Sequence, residues 1–243
     1  MKSIIRFRHL VYLSLFLLLL FSGKIYSQSN FEGEIQMKMG GGDDNSRMVN
    51  YYVKGDKFRF ESAEQGGMGA SIWDTKNNKM IILMTSAKKY MEFPLDSFGK
   101  QMTTDTSMAK IKKNLKNAVF TGNTKKILGY DCKEVVYKDP DDGSTLDLWY
   151  TNELGTFMFY TMKSPFGRSM TQGDIPQEIK DLFKNGFFPM QVITKDKDGS
   201  VKNDMEVTQV KKESLSDDMF TPPSDYQKMT MPSMYQNMQK NNN

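Results

Sequence analysis

The alternation in FEGEIQMKM, residues 31–39, constrains this chain's fold more than any other feature. Phe31, Ile35, Met37 and Met39 fall on one side, and Glu32, Glu34, Gln36 and Lys38 on the other. Side chains that alternate with period two belong to a strand with one face in a core and one in water, the arrangement of an antiparallel sheet. GGGDDNS (40–46) is a flexible turn into MVNYYVKG, and KFRF continues the pattern with Phe58 and Phe60 inward. Three later turns join strand-like runs. WDTKNNKM links 71–74 to 80–84, KDPDDGS links 130–138 to 145–151, and KDKDGS links 190–195 to 201–210. Their Asn-Asn, Asp-Gly and Pro-Asp pairs supply the left-handed or fixed-φ positions that hairpins need. Asp139, Asp141 and Asp142 lack the spacing of a calcium loop, so the acidic tip reads as a turn.

Two stretches change the period. In SMAKIKKNLKN (107–117), Met108, Ile111 and Leu115 form one apolar face among lysines, with Ser107 as N-cap. In DIPQEIKDLFKNG (174–186), Asp174 caps the helix, Pro176 sits in its first turn and Gly186 ends it, with Ile179, Leu182 and Phe183 inward. Short amphipathic helices of this kind cover a sheet face. The expected architecture is mainly β: a long, curved antiparallel meander with two or more such helices over one side.

The first 27 residues read as a secretory signal. Lys2, Arg6 and Arg8 precede the apolar run LVYLSLFLLLLFSG (10–23), and small Ser27 suits a cleavage site before Gln28. The run is short for a bilayer span, no second one follows it, and no cysteine stands at the junction to carry a lipid. The expectation is an exported, soluble protein, periplasmic or extracellular and not a lipoprotein. Its single domain would cover 28–228, followed by a Met- and Asn-rich disordered tail, 229–243.

Losing that signal changes the chemistry available. It holds four of the 33 basic residues and none of the 29 acidic ones, so the mature chain is formally neutral, which argues against a nucleic-acid partner. It also holds the one histidine, His9. Without His the chain cannot build a Ser-His-Asp or Cys-His nucleophile or a His-ligated metal site. Carboxylate-only hydrolysis survives that test, but no spacing argues for it. The reading is a non-enzymatic protein with no cofactor.

The run FTGNTKKILGYDCKEVV (120–136) contains the lone cysteine, Cys132. One cysteine cannot form an intramolecular disulfide. Lys125, Lys126 and Lys133 are near in sequence, but strand alternation sends Lys133 away from it. Gly129 starts the strand with a bend, and Tyr130, Cys132 and Val136 then share a face with Glu134 as the polar exception. Cys132 is read as a small buried side chain.

This run resembles the pattern of an exported bacterial family, domain of unknown function 4412. The resemblance extends to Trp149 and Thr151 in LWYTNELG and to Phe220, Pro223 and Tyr226 in DDMFTPPSDY, and covers roughly residues 31–228. Gly129, Tyr130, Cys132 and Trp149 are the family positions, read as structural. The family is similar in fold to the LolA/LolB group of lipoprotein carriers, curved half-barrels whose helices close an apolar cavity. The resemblance implies that fold, and no catalytic residue comes with it.

Three binding roles fit the residues. IILM, FMFYTM, GFFPM and MEF could line an adaptable cavity for an apolar small molecule, a lipid or a lipidated protein, or could simply fill the core. Tyr51, Tyr160 and Phe166, read as exposed aromatics near loops, could serve an envelope interaction module. Met229, Met231, Met234 and Met238 in the tail offer thioether ligands for Cu(I). The apolar-ligand role is the leading expectation.

Overall fold

The computed structural model describes residues 31–40, 46–62, 69–96, 116–158 and 176–229. The first six strands are β1 (Gly33–Gly40), β2 (Arg47–Lys54), β3 (Lys57–Ser62), β4 (Ala70–Asp74), β5 (Lys79–Met84) and β6 (Lys89–Pro94). The next five are β7 (Val119–Ile127), β8 (Tyr130–Lys138), β9 (Thr145–Thr151), β10 (Phe188–Lys195) and β11 (Val201–Lys212). A short β12 (Gln227–Lys228) follows a 3-10 turn at Asp217–Phe220. All twelve strands form one open, curved sheet in the order β12-β6-β5-β4-β3-β2-β1-β11-β10-β9-β8-β7.

The order departs from a simple meander at two connections, β6 to β7 and β11 to β12. β6 and β7 follow one another in the chain yet lie toward opposite edges, and β1 pairs with β11 to join the two halves. Within each half, tight hairpins set the register. Asn78 (φ 53), Gly143 (φ 76) and Gly199 (φ 87) occupy left-handed positions in the three turns expected from sequence. Among the described residues β12 alone runs parallel to its neighbour, pairing Gln227 with Lys89 on β6.

Alternation places the core. Ile35, Met37, Val49, Tyr51, Phe58, Trp73, Phe188 and Met190 belong to one buried cluster. Tyr51 is fully buried at its centre, with rings of Phe58, Phe157 and Phe188 within 6.1 Å. Its hydroxyl accepts a hydrogen bond from the Met158 backbone N–H at 3.1 Å, and burial pushes the phenol well above its ordinary pKa. The expectation of an exposed Tyr51 is therefore wrong: its place in β2 puts it on the core face. Tyr160 and Phe166 lie outside the described residues.

The opposite face of β2–β6 is also covered. Leu215, Met219, Phe220 and Tyr226, around the 3-10 turn, pack on Tyr52, Ile72, Ile81, Leu83 and Tyr90. Arg59 and Lys54 hold this segment by donating to the carbonyls of Met219 and Leu215, both at 2.6 Å.

One α-helix, α1 (Gln177–Asn185), is defined among the described residues, rather than the two or more expected. The other expected helix, 107–117, lies outside them apart from Lys116 and Asn117. Ile179 and Phe183 of α1 are buried against Val135, Tyr150 and Phe187, with Leu182 half-buried beside them. Pro176 itself occupies the N-cap, with no capping side-chain bond, rather than the first turn; Asp174 lies outside the described residues. Gly186 ends the helix at φ 108, and a Cβ there would meet the Asn152 carbonyl oxygen at 2.9 Å. The loop after β9 is tied to this end: Thr156 donates to the Phe183 carbonyl at 3.1 Å, and Asn152 to that of Gly186.

Candidate functional site

Register decides what this sheet offers to a ligand, because residues paired directly across neighbouring strands share a face. Arg47 of β2 lies opposite Met39 of β1, and Met39 opposite Met205 of β11. Met205 lies opposite Val192 of β10, and Val192 opposite Leu148 of β9. The row continues through Val135 of β8 to Phe120 of β7. One cross-strand row is thus apolar from β1 to β7 and carries an arginine at its β2 end.

Exposure distinguishes this row from the core proper. Two residues further along the strands, the paired Val49, Met37 and Val207 are 0%, 1% and 2% exposed. In the row itself Met39, Met205, Val192 and Leu148 are only half-buried and Phe120 is 40% exposed, while Val135 is buried under α1. Met39 and Met205 pack on the main core, and Leu148 on the cluster under α1. The row therefore forms an apolar band bridging two clusters, still partly open to water. A flexible, thioether-rich surface of this kind recognises apolar matter by burial, worth roughly 25 cal/mol per Å².

The segments singled out in the sequence as cavity lining serve the core instead. Ile81 and Leu83 of IILM, Phe187, Phe188 and Met190 of GFFPM, and Met91 of MEF are all buried. Phe157 and Met158 of FMFYTM pack in the main cluster, and the rest of that run lies outside the described residues. The band residues escaped sequence reading because none is unusual in its own strand; only cross-strand pairing aligns them.

The other face of β7–β9 gathers the run around Cys132. Ile127 and Tyr130 close the β7–β8 hairpin over Leu128 (φ 51) and Gly129 (φ 87), the two left-handed residues of a type I′ turn. Cys132 is fully buried within the main cluster, its Sγ 3.5 Å from the Tyr130 carbonyl oxygen, and Ile127, Tyr130 and Trp149 pack half-buried against that cluster. A bulge between Pro189 and Gln191 lets β10 serve both faces: Val192 pairs with Leu148 in the band, while Phe188 pairs with Thr151 and joins Cys132 in the core. Burial pushes the thiol above its ordinary pKa, opposed only in part by the Ile127 backbone and the Lys125 charge. Lys126 is bound to Asp131 at 2.7 Å, and Lys133 is exposed.

Trp149 stands beside this hairpin with the Lys125 ammonium 4.0 Å from its ring centre. A bulge between Phe120 and Thr124 turns Thr121 and Asn123 toward Glu134, which accepts from both, at 2.6 and 2.8 Å. These bonds hold the Glu134 carboxyl below the usual range. Asp147 is pushed the other way by burial and by the charge of Glu134, and its Oδ1 is buried without a partner among the described residues. Thr121, Asn123, Glu134, Lys125 and Trp149 thus form a bonded patch that ties the edge hairpin to β8 and β9.

A polar depression of about 580 Å³ lies elsewhere, lined by Lys54, Lys57, Asp56, Asp74 and Asp217 among others. Lys54 and Lys57 each approach Asp217 at 3.3 Å, so its charges are spent anchoring the C-terminal segment. No group of three His, Cys, Asp or Glu side chains placed to hold a metal occurs among the described residues. Met229 is half-buried and its N–H donates to the Tyr90 carbonyl at 2.8 Å; Met231, Met234 and Met238 lie outside the described residues, as do Ser27 and Gln28.

A family model for a domain of unknown function (DUF4412) matches residues 31–226. The chain belongs to the DUF4412 family. The family resemblance is thereby shown, and Gly129, Tyr130, Cys132 and Trp149 lie in the β7–β9 region of the DUF4412 sheet. No curated protein matches the chain.

Solved structures resemble it loosely. An uncharacterized conserved protein from Thermus thermophilus aligns at 12% identity and TM-score 0.45, over 84% of this chain and 94% of that one. MucB, from the Pseudomonas aeruginosa MucA/MucB complex, aligns at 10% identity and TM-score 0.45, over 84% of this chain and 60% of that one. The DUF4412 chain thus spans about three fifths of that MucB chain. The LolA superfamily protein NE2245 from Nitrosomonas europaea aligns at 14% identity and TM-score 0.29, over 80% of this chain and 91% of that one. Overlaps this loose carry no argument about activity. Among the described residues no helix is long and apolar enough to cross a membrane.

Proposed function

We propose that this DUF4412 protein is exported, is cleaved after Ser27, and binds an apolar ligand, lipid or lipidated segment in the cell envelope without catalysing a reaction. The domain doing so is residues 28–228, with 107–117 as a second covering helix. The observation that carries the reading is the half-buried apolar row Met39–Met205–Val192–Leu148, which runs on through buried Val135 to part-exposed Phe120. Contiguous part-exposed apolar residues mark a binding face more often than scattered ones do. Native mass spectrometry of protein isolated from its own envelope tests this. A lipid-sized added mass that disappears in Val192→Asp is the expected result; repeated spectra of the bare protein would overturn it.

A second reading, an envelope interaction module, is favoured by the other free feature of the sheet. β7 is its edge strand, exposed along most of its length, with Val119 58% exposed. A sheet edge that pairs with no strand among the described residues can accept a partner strand by main-chain hydrogen bonds. A bare mass together with a protein crosslinked through β7 would support this reading over the first.

A further inference from the structure

The chain after β11 crosses the sheet. Residues 213–229 run from the end of β11 over β2–β6 to the β6 edge, where β12 pairs with Lys89 and Tyr90. Leu215 and Phe220 are the buried side chains of this segment, with Met219 and Tyr226 half-buried beside them. Between them the backbone turns in on itself: Met219, Thr221 and Tyr226 donate to the carbonyls of Ser216, Asp218 and Pro223. Charged side chains supply the ties to the sheet. Glu32 accepts from the Leu215 N–H at 2.8 Å and Lys54 donates to the Leu215 carbonyl at 2.6 Å. Those two side chains lie 3.9 Å apart, so one ion pair grips both polar groups of a single residue. Arg59 holds the Met219 carbonyl. Asp217 stands 3.3 Å from both Lys54 and Lys57, and Asp225 2.8 Å from Lys88. At the far end the N–H groups of Gln227 and Met229 donate to the carbonyls of Lys88 and Tyr90.

What the segment covers is apolar. Ile72, Ile81 and Leu83 are 1%, 3% and 1% exposed beneath Leu215, Met219, Phe220 and Tyr226. A cover with few buried side chains, tied down by exposed charges, belongs to the low end of a protein's local stability. Exposed ion pairs are individually weak and are screened by salt. From this we infer that residues 213–229 are a salt-sensitive strap. It releases as one unit while β1 to β11 stay paired, and its release uncovers the face formed by Ile72, Ile81 and Leu83, with Tyr52 and Tyr90 beside them. The strap goes beyond the apolar-ligand reading and does not depend on it.

Amide hydrogen exchange of the intact chain tests this, read at the bonded amides of Leu215, Gln227 and Met229. The three are expected to share one rate, at least about tenfold faster than the amides of β1. Raising sodium chloride from about 0.01 M to about 1 M shortens the screening length from roughly 30 Å to 3 Å, and should accelerate them severalfold. The double variant Asp217→Asn, Asp225→Asn keeps the shape of both side chains and removes their charges. It should exchange about tenfold faster than the native strap at low salt and lose most of the salt dependence, with β1 unchanged. An added dye that fluoresces on apolar surfaces should brighten wherever the strap exchanges faster. Exchange of the three amides at the rate of β1 would overturn the separate unit. Fast exchange indifferent to salt and to both substitutions would overturn the charged ties. Faster exchange with no gain in dye emission would overturn the uncovering of the face.

Discussion

The Lys125 ammonium lies 4.0 Å from the centre of the Trp149 ring, and the same nitrogen donates to the Gln191 side-chain oxygen at 2.6 Å. One side chain thereby links the edge strand β7 to β9 and β10, across the width of β8. Lys125 also pairs with Cys132 across β7 and β8, so this link acts as a brace for the β7 edge.

Lys125→Ala should cost about 1 kcal/mol, the sum of a surface cation–π contact and a half-exposed hydrogen bond. For a domain this size that is a fall of roughly 2–4 °C in melting temperature. Lys125→Arg should retain most of the stability because guanidinium also stacks on indole. Thermal melts followed by tryptophan fluorescence check both, and an unchanged melt for Lys125→Ala would remove the brace.

Glu134 gives a pH dependence with a definite sign. Hydrogen bonds from Thr121 and Asn123 hold its folded-state pKa below the ordinary 4.5. The carboxylate therefore stabilises the bulged hairpin above that ordinary value, and the contribution is lost as pH falls through the lower folded value. Amide exchange in β7 should accelerate on acidification, relative to β1, and Glu134→Ala should show the accelerated rate at neutral pH. Equal exchange in the variant and the native protein would show that the bulge holds without Glu134.

Cys132 is fully buried and its thiol is pushed up by that burial. A thiol reagent should modify the folded protein at least about tenfold more slowly than the unfolded chain, since reaction waits for local opening. Cys132→Ser should destabilise by roughly 1–3 kcal/mol, the cost of burying a poorly bonded hydroxyl. Equal reaction rates for the folded and unfolded forms would contradict the burial.

Gly186→Ala should destabilise by about 1–3 kcal/mol, because the added carbon meets the Asn152 carbonyl at 2.9 Å in a left-handed conformation. Gly55→Ala is the comparison: its φ is 58, but the added carbon meets nothing within 4 Å. It should cost only the conformational term, roughly 1–2 kcal/mol. Denaturant melts of the two variants separate crowding from strain, and equal losses would assign the whole effect to strain.

Local chemistry wrote much of this fold. Period-two alternation around Ile35 and Met37, and the left-handed residues Asn78, Gly143 and Gly199, produce strands and turns within a few residues, and their bounds were legible almost to the residue. The second amphipathic stretch was legible for the same reason, down to Ile179, Phe183 and Gly186. What the sequence could not express is pairing between distant segments. That β1 meets β11, that β6 and β7 lie toward opposite edges, and that Tyr51 is the centre of the core are consequences of where whole strands dock. The candidate site belongs to this second kind. Met39, Leu148 and Val192 are ordinary strand residues until nonlocal register sets them in one row behind Arg47. A shift of one residue in any of those pairings would turn that strand's contribution to the other face, so tertiary structure alone decides that the band exists.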